Sequence, residues 1–180
     1  MNDGPAVIHL RVWSDFACFT RPELKAERVS YGLMTPAAAR GVLEAIYYEP
    51  EMAYRINAIG VIRRGRWFSV RRNEVSKVVR IGAAISGMAD PAGCAPIRAG
   101  GGAADGTQRG MLALAEVEYL ITAEIRLTDR ARSPRNSLAK YRAQALDRAA
   151  KGKCFHRPYL GCREFAADFE PVEDPAAVTL

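Results

Sequence analysis

The side chains best suited to chemistry are concentrated between Lys140 and Phe165. Here a basic stretch runs into Cys154-Phe155-His156-Arg157-Pro158-Tyr159-Leu160-Gly161-Cys162-Arg163-Glu164-Phe165, which holds one of only two histidines in the chain. An imidazole titrates near neutral pH and can move a proton, and a lysine can meet developing negative charge. Lys151, Lys153, Arg157 and Arg163 supply cations, with Phe155, Tyr159 and Phe165 set among them. Cations for phosphate and rings for bases are what a single-stranded nucleic acid requires. The same residues also read as a positively charged surface turn that closes a sheet. They do not read as a metal site: the single residue between Cys154 and His156 is poor spacing for zinc, and a fourth ligand beyond Cys162 is missing.

Two further groups of cations flank aromatic residues. Arg63, Arg64, Arg66, Trp67, Phe68, Arg71 and Arg72 form the strongest compositional signal for RNA or DNA, the alternative being a solvated hairpin rim. Arg21, Lys25 and Arg28 lie around Phe16, Phe19 and Tyr31. Across all 180 residues, 26 Lys/Arg oppose 20 Asp/Glu for a net charge of +6. Arginine dominates the cations, and its planar fork matches phosphate and stacks on bases, so the balance favours a polyanionic partner.

The rest of the composition narrows the classes. No apolar run approaches the ~18 residues of a membrane span, and the N-terminus lacks a signal-peptide pattern, so a soluble, cytoplasmic protein without a membrane partner is expected. Four cysteines without a CxxC pair suit a reducing compartment. Residues 99–106 are Gly/Ala-rich but lack the Gly-Lys-Ser/Thr ending of a phosphate loop. They read as a mobile insertion without chemistry.

The elements that must position these groups follow from periodicity. Ile8, Leu10 and Val12 alternate with His9, Arg11 and Trp13, which predicts a half-buried strand over 7–13. His9 reads as a residue of the sheet's second face in preference to a catalyst. Thr35 and Pro36 open a helix whose buried stripe is Ala39, Val42, Leu43, Ile46 and Tyr47, and Pro50 ends it. Tyr47 then falls in the last turn, its ring inward and its hydroxyl at the rim. A strand is predicted over 53–63 with a bend at Gly60, and another over 117–128. Asn136 or Ser137 caps a second helix with Leu138, Tyr141, Ala145, Leu146 and Ala149 inward and Lys140, Gln144 and Lys151 outward; Gly152 ends it. A last strand follows over 164–169. The order is strand, helix, strand, strand, helix, strand, the pattern of an α+β, ferredoxin-like (RRM-like) βαββαβ domain over 1–170. It carries an insertion at about 76–112 and a linker-like tail over 171–180.

Five segments carry a resemblance. Val12 to Glu23, Tyr31 to Pro36, Gly41 to Tyr48, Ser69 to Glu74 and Cys154 to Phe165 occur in the order found in the CRISPR-associated Cas-five family of type I-C systems (the d or Dvulg subtype). The sequence is similar to that family from about Val7 to Phe169, apart from the Gly/Ala insertion. The resemblance implies a RAMP-type endoribonuclease that needs no metal or other cofactor. It would cut CRISPR precursor RNA within each repeat, 3′ of the stem-loop, by attack of a ribose 2′-hydroxyl on the adjacent phosphate. It would then stay on the crRNA 5′ handle beside the backbone and large subunits of a surveillance complex. By position, Tyr47 matches the family's catalytic tyrosine and Lys140 its catalytic lysine. The histidine that follows that lysine in some members is Tyr141 here, so the candidates for proton transfer are His156 and, less well placed on a buried stripe, Tyr141. A handle-binding subunit that does not cut is the alternative. The residues expected at the RNA are Arg21, Lys25, Arg28, Arg64, Arg66, Arg71, Arg72, Arg157 and Arg163. Longer members continue into a β-rich C-terminal region, expected to be largely absent here.

Overall fold

A computed structural model describes residues 6–100 and 102–180. The described elements run β1 (Ala6–Ala17), β2 (Arg28–Val29), α1 (Pro36–Ile46), β3 (Met52–Arg63), β4 (Arg66–Val75), α2 (Ile81–Ala89), β5 (Gly106–Leu127), α3 (Leu138–Ala150) and β6 (Asp168–Pro171), with a short 3-10 turn at Pro175–Ala177. This is a mixed α+β chain built on one six-stranded sheet. β5 is its spine. It pairs antiparallel with β1 on one side (Leu10 opposite Ile121) and with β3 on the other (Tyr54 opposite Ile125), and β6 pairs antiparallel with the outer edge of β1. β2 and β4 also pair with β5.

The chain divides into two compact units, one made of the residues up to Phe68 with Leu112–Leu180, the other of Ser69–Met111. In the first, strand alternation sends Ile8, Leu10 and Val12 of β1 and Val117, Tyr119, Ile121, Ala123 and Ile125 of β5 into the core. α1 adds Ala39, Val42, Leu43 and Ile46, and α3 adds Tyr141, Ala145 and Ala149. Burying these stripes is what fixes both helices, since short helices are marginal alone. The opposite face of the sheet is polar. Glu118, only 4% exposed, sits between Arg11 and Arg63, which compensates its burial, and His9 Nδ1 lies 3.0 Å from Thr122 Oγ1. His9 thus occupies the second face, as its alternation predicts.

In the second unit Asp105 ties the turn together. Its carboxylate meets Lys77 at 2.6 Å and the Arg98 N–H at 3.2 Å, and its carbonyl accepts from Ser76. α2 buries none of its side chains.

Several expectations need correction. The stretch expected as an insertion at about 76–112 contains helix α2 and the start of β5, which begins at Gly106 rather than near Val117. Arg80 at the start of α2 offers no capping side chain, and the glycines within the helix hide its pattern. The early part of β5 is Gly- and Ala-rich; ladder pairing makes it a strand, not propensity. β2 and β4 were not expected, and the basic run from Arg66 onward is a strand. β3 is bulged between Ile56 and Ala58 and between Val61 and Arg63, not at Gly60. β6 lies at 168–171 because the preceding residues are taken by the turn: Tyr159 bridges Ala166, and the Ala167 N–H donates to the Pro158 carbonyl at 2.9 Å. The tail does not leave the fold at once, since the Val172 N–H donates to the His9 carbonyl. Among the described residues no helix is long and apolar enough to cross a membrane.

Candidate functional site

Thr35 opens α1 by accepting the Ala38 N–H, with Pro36 at the first position as expected. The helix stops at Ile46, before Tyr47 and short of the Pro50 break expected to end it. Tyr47 is its C-cap, in extended conformation (φ −151°, ψ 128°), and this swings the side chain out of the helical path toward α3. The last carbonyls of the helix are then satisfied from other elements. The Ala45 carbonyl accepts the N–H groups of Phe155 (2.8 Å) and His156 (3.1 Å), the Ile46 carbonyl accepts Arg148 Nε (2.9 Å), and the Tyr47 carbonyl accepts the Tyr54 hydroxyl (3.0 Å). The backbone under Tyr47 is therefore held at three consecutive residues.

The Tyr47 side chain is 8% exposed and its hydroxyl donates to Gln144 Oε1. Burial, reinforced by the Glu49 carboxylate and by Tyr141, pushes the phenol up to about 12; Arg148 opposes this only in part. At neutral pH Tyr47 is a neutral hydrogen-bonding group and a poor base.

α3 starts at Ser137, whose hydroxyl accepts the Lys140 N–H at 3.2 Å, while Asn136 accepts the Tyr141 hydroxyl at 2.8 Å. The two residues that competed for the cap thus have separate tasks. Lys140, Gln144 and Arg148 recur every four residues and share one face of the helix. Lys140 Nζ lies 4.9 Å from the centre of the Tyr141 ring, and the Tyr47 and Tyr141 rings are 6.5 Å apart. Tyr47 and Lys140 accordingly rest against the same buried ring. Tyr141 itself is 1% exposed, so the residue at the histidine position is a packing group with an engaged hydroxyl. A hollow of about 530 Å³ opens beside Tyr47, lined by Glu49, Ala143, Gln144, Asp147, Arg148 and Lys153.

The turn at 154–165 is pinned at both ends. Beyond the Ala45 contacts, the Cys18 N–H donates to the Leu160 carbonyl, and Arg28 Nη1 lies 3.1 Å from Cys162 Sγ. The hydrogen bond with Cys18 and the Arg28 guanidinium hold the Cys162 thiol down to about 6, while Cys18 is pushed up by the same pairing and by burial. His156 is exposed and its ring packs on the exposed Phe155, 4.3 Å between centroids. Phe155 in turn lines a second hollow of about 300 Å³ with Tyr47, Tyr48 and Arg148. The turn is what brings His156 to the Tyr47 end of α1.

A sequence model of the CRISPR-associated Cas5 proteins, subtype Cas5d, matches residues 7–179. The chain belongs to the Cas5d family. It is 43% identical over 166 residues to the CRISPR pre-crRNA endoribonuclease Cas5d of Thermus thermophilus, covering 92% of this chain and 64% of that one. To the protein of the same name from Mannheimia succiniciproducens it is 40% identical over 167 residues, covering 93% of this chain and 73% of that one. The chain thus spans about two thirds of the length of these curated relatives. A crystal structure of a CRISPR-associated protein superposes with a TM-score of 0.61 at 21% identity, over 93% of this chain and 66% of that one, and agrees in fold.

In this Cas5d chain the predicted RNA contacts fall into two sets. Arg66 pairs with Glu116 (2.8 Å), Arg157 with Asp168 (2.6 Å), Arg72 with Glu74 (2.5 Å), and Arg28 with Cys162 and Glu164. Arg21 lies over the Tyr31 ring, 5.5 Å from its centre. Lys25, Arg64, Arg71 and Arg163 are exposed and make no ion pair among the described residues. Arg71 and Arg72 belong to the second unit, the others to the first. Arg148, which no sequence argument singled out, touches both hollows beside Tyr47. The four-residue spacing from Lys140 through Gln144 was the available signal.

Proposed function

We propose that this Cas5d chain cleaves CRISPR precursor RNA within the repeat, 3′ of its stem-loop, by metal-independent attack of a ribose 2′-hydroxyl. The observation that carries the reading is the seating of the Tyr47 hydroxyl on the helix face that also presents Lys140. With its own proton directed to Gln144, the Tyr47 oxygen is left as an acceptor that can align the 2′-hydroxyl. The 2′ oxygen bonds to phosphorus as the P–O5′ bond breaks, leaving a 2′,3′-cyclic phosphate and a 5′-hydroxyl. Lys140 offsets the charge that builds on the phosphorane. His156 is the side chain suited to exchange protons with the 2′ and 5′ oxygens. Tyr141 supports Tyr47 and Lys140 from beneath.

On this reading the antiparallel path β3-β5-β1-β6 is the four-stranded ferredoxin-like core, and the chain around 76–112 is an insertion into it. Arg21, Lys25, Arg28, Arg64, Arg66, Arg71, Arg72, Arg157 and Arg163 hold the RNA backbone. The protein remains on the 5′ handle as a subunit of a type I-C surveillance complex. One observation favours the alternative of a handle-binding subunit that does not cut: the position of the family histidine is filled by a tyrosine only 1% exposed. End-group analysis of the product tests the reading. A single cut in repeat RNA with a cyclic phosphate, blocked by a 2′-deoxy nucleotide at that position, is expected; bound and intact RNA supports the alternative.

A further inference from the structure

Arg148 is half-buried, and the only hydrogen bond of its side chain among the described residues runs from Nε to the Ile46 carbonyl. No carboxylate pairs with it among those residues. Its neighbour Asp147 is taken by Lys151 at 2.6 Å, and Glu49, which lines the same two hollows, makes no ion pair there. A guanidinium partly withdrawn from water normally gains a counter-charge. The Ile46 carbonyl uses one of its five donors. The remaining N–H groups, on the two terminal nitrogens, form the planar fork that matches a phosphate with two parallel hydrogen bonds.

Its position is also fixed in advance. Nε is tied to the end of α1, and the guanidinium carbon lies 6.0 Å from the centre of the Tyr47 ring. The competing account is that Arg148 serves only as a cap, its charge offsetting the negative end of α1. That role explains Nε and leaves the fork beside the hollow without a task. We propose that Arg148 is a substrate-binding residue, its fork taking a phosphodiester of the RNA strand next to the ribose aligned by Tyr47. This rests on the RNA reading above and adds a contact to the same site.

The test measures binding of single-stranded repeat RNA by the full chain across a salt series, for wild type, Arg148→Gln and Arg148→Lys. Loss of one phosphate contact lowers the slope of log affinity against log salt by about 0.7, the single-strand value for one charge, so Arg148→Gln is expected to show that drop. Arg148→Lys keeps a cation at the end of α1 and guards against unfolding of the glutamine variant. A fork contact predicts roughly fivefold weaker binding by the lysine variant, a cap predicts none. Wild-type slope in Arg148→Gln, or wild-type affinity in Arg148→Lys, overturns the phosphate contact and leaves the RNA reading intact. Binding without cutting, with the slope lowered in Arg148→Gln, supports the contact while the nuclease reading fails. Absence of wild-type RNA binding overturns both.

Discussion

At the scale of single residues, the state of the Tyr47 proton decides what the site can do. A phenol pushed up to about 12 stays protonated across the working range, so the alkaline limb of a cleavage profile is not set by Tyr47 near pH ~10. Removing its hydroxyl with Tyr47→Phe is expected to slow cutting by about 100-fold while RNA affinity changes by less than about threefold. Gln144→Leu acts through the same hydroxyl. It should slow cutting in the wild-type background and add little to Tyr47→Phe, a non-additivity that a double-mutant cycle of single-turnover rates reads directly. The shift also has a stability consequence. Tyr47 and Tyr119, both raised to about 12 by burial first, keep their protons in the folded chain where the unfolded chain loses them near ~10. Their contribution is fully present below that pH and is lost as pH rises toward 12. Melting temperatures measured from pH 8 to 11.5 should fall above about pH 10, and a flat profile would contradict the burial argument. The roles proposed for Tyr47 and Lys140 come from the family resemblance, while their positions at the end of α1 and on the outer face of α3 were legible from helical periodicity. Arg148 was not: nothing in a basic sequence distinguishes the arginine that lacks a carboxylate from those that have one.

At the scale of elements, the site depends on three anchors that the sequence disclosed unequally. The caps were readable, Thr35-Pro36 outright and the second to within Asn136 or Ser137, because a cap is a side-chain solution to a local problem. Ser137→Ala is expected to cost about 1 kcal/mol by thermal or chemical denaturation, since it frees the Lys140 N–H. The docking of the 154–165 turn was not readable, because its bonds reach Ala45 and Cys18, far away in sequence. Gly161 marks how close that approach is. Its φ is +86°, and a Cβ there would collide with the Cys18 carbonyl. Gly161→Ala should therefore destabilise by about 1–3 kcal/mol or more and release the turn, detectable as faster amide exchange at Phe155 and His156. The early part of β5 escaped prediction for a related reason: its residues are weak strand formers, and only pairing within the sheet makes them a strand.

At the scale of the whole molecule, the arginine excess was legible as a nucleic-acid signature, but the sequence could not say which cations are occupied. Arg66 answers to Glu116 at 2.8 Å, whereas Arg71 makes no ion pair among the described residues. Arg71→Ala is therefore expected to lower the salt dependence of RNA binding by about 0.7 in slope and Arg66→Ala by less. Equal effects would show that the Arg66 pair opens on binding. The alternation of helix and strand elements was legible from periodicity. The content of the second unit was not, because its glycines and prolines mask both α2 and the tie through Asp105.

The most direct test of the account is to incubate the purified chain with CRISPR repeat RNA in EDTA beside a Lys140→Ala variant. One cut 3′ of the stem-loop by the wild type, lost in the variant while RNA binding persists, is the predicted result. Intact RNA bound tightly by both proteins would contradict it and leave the chain as a subunit that holds the repeat without cutting it.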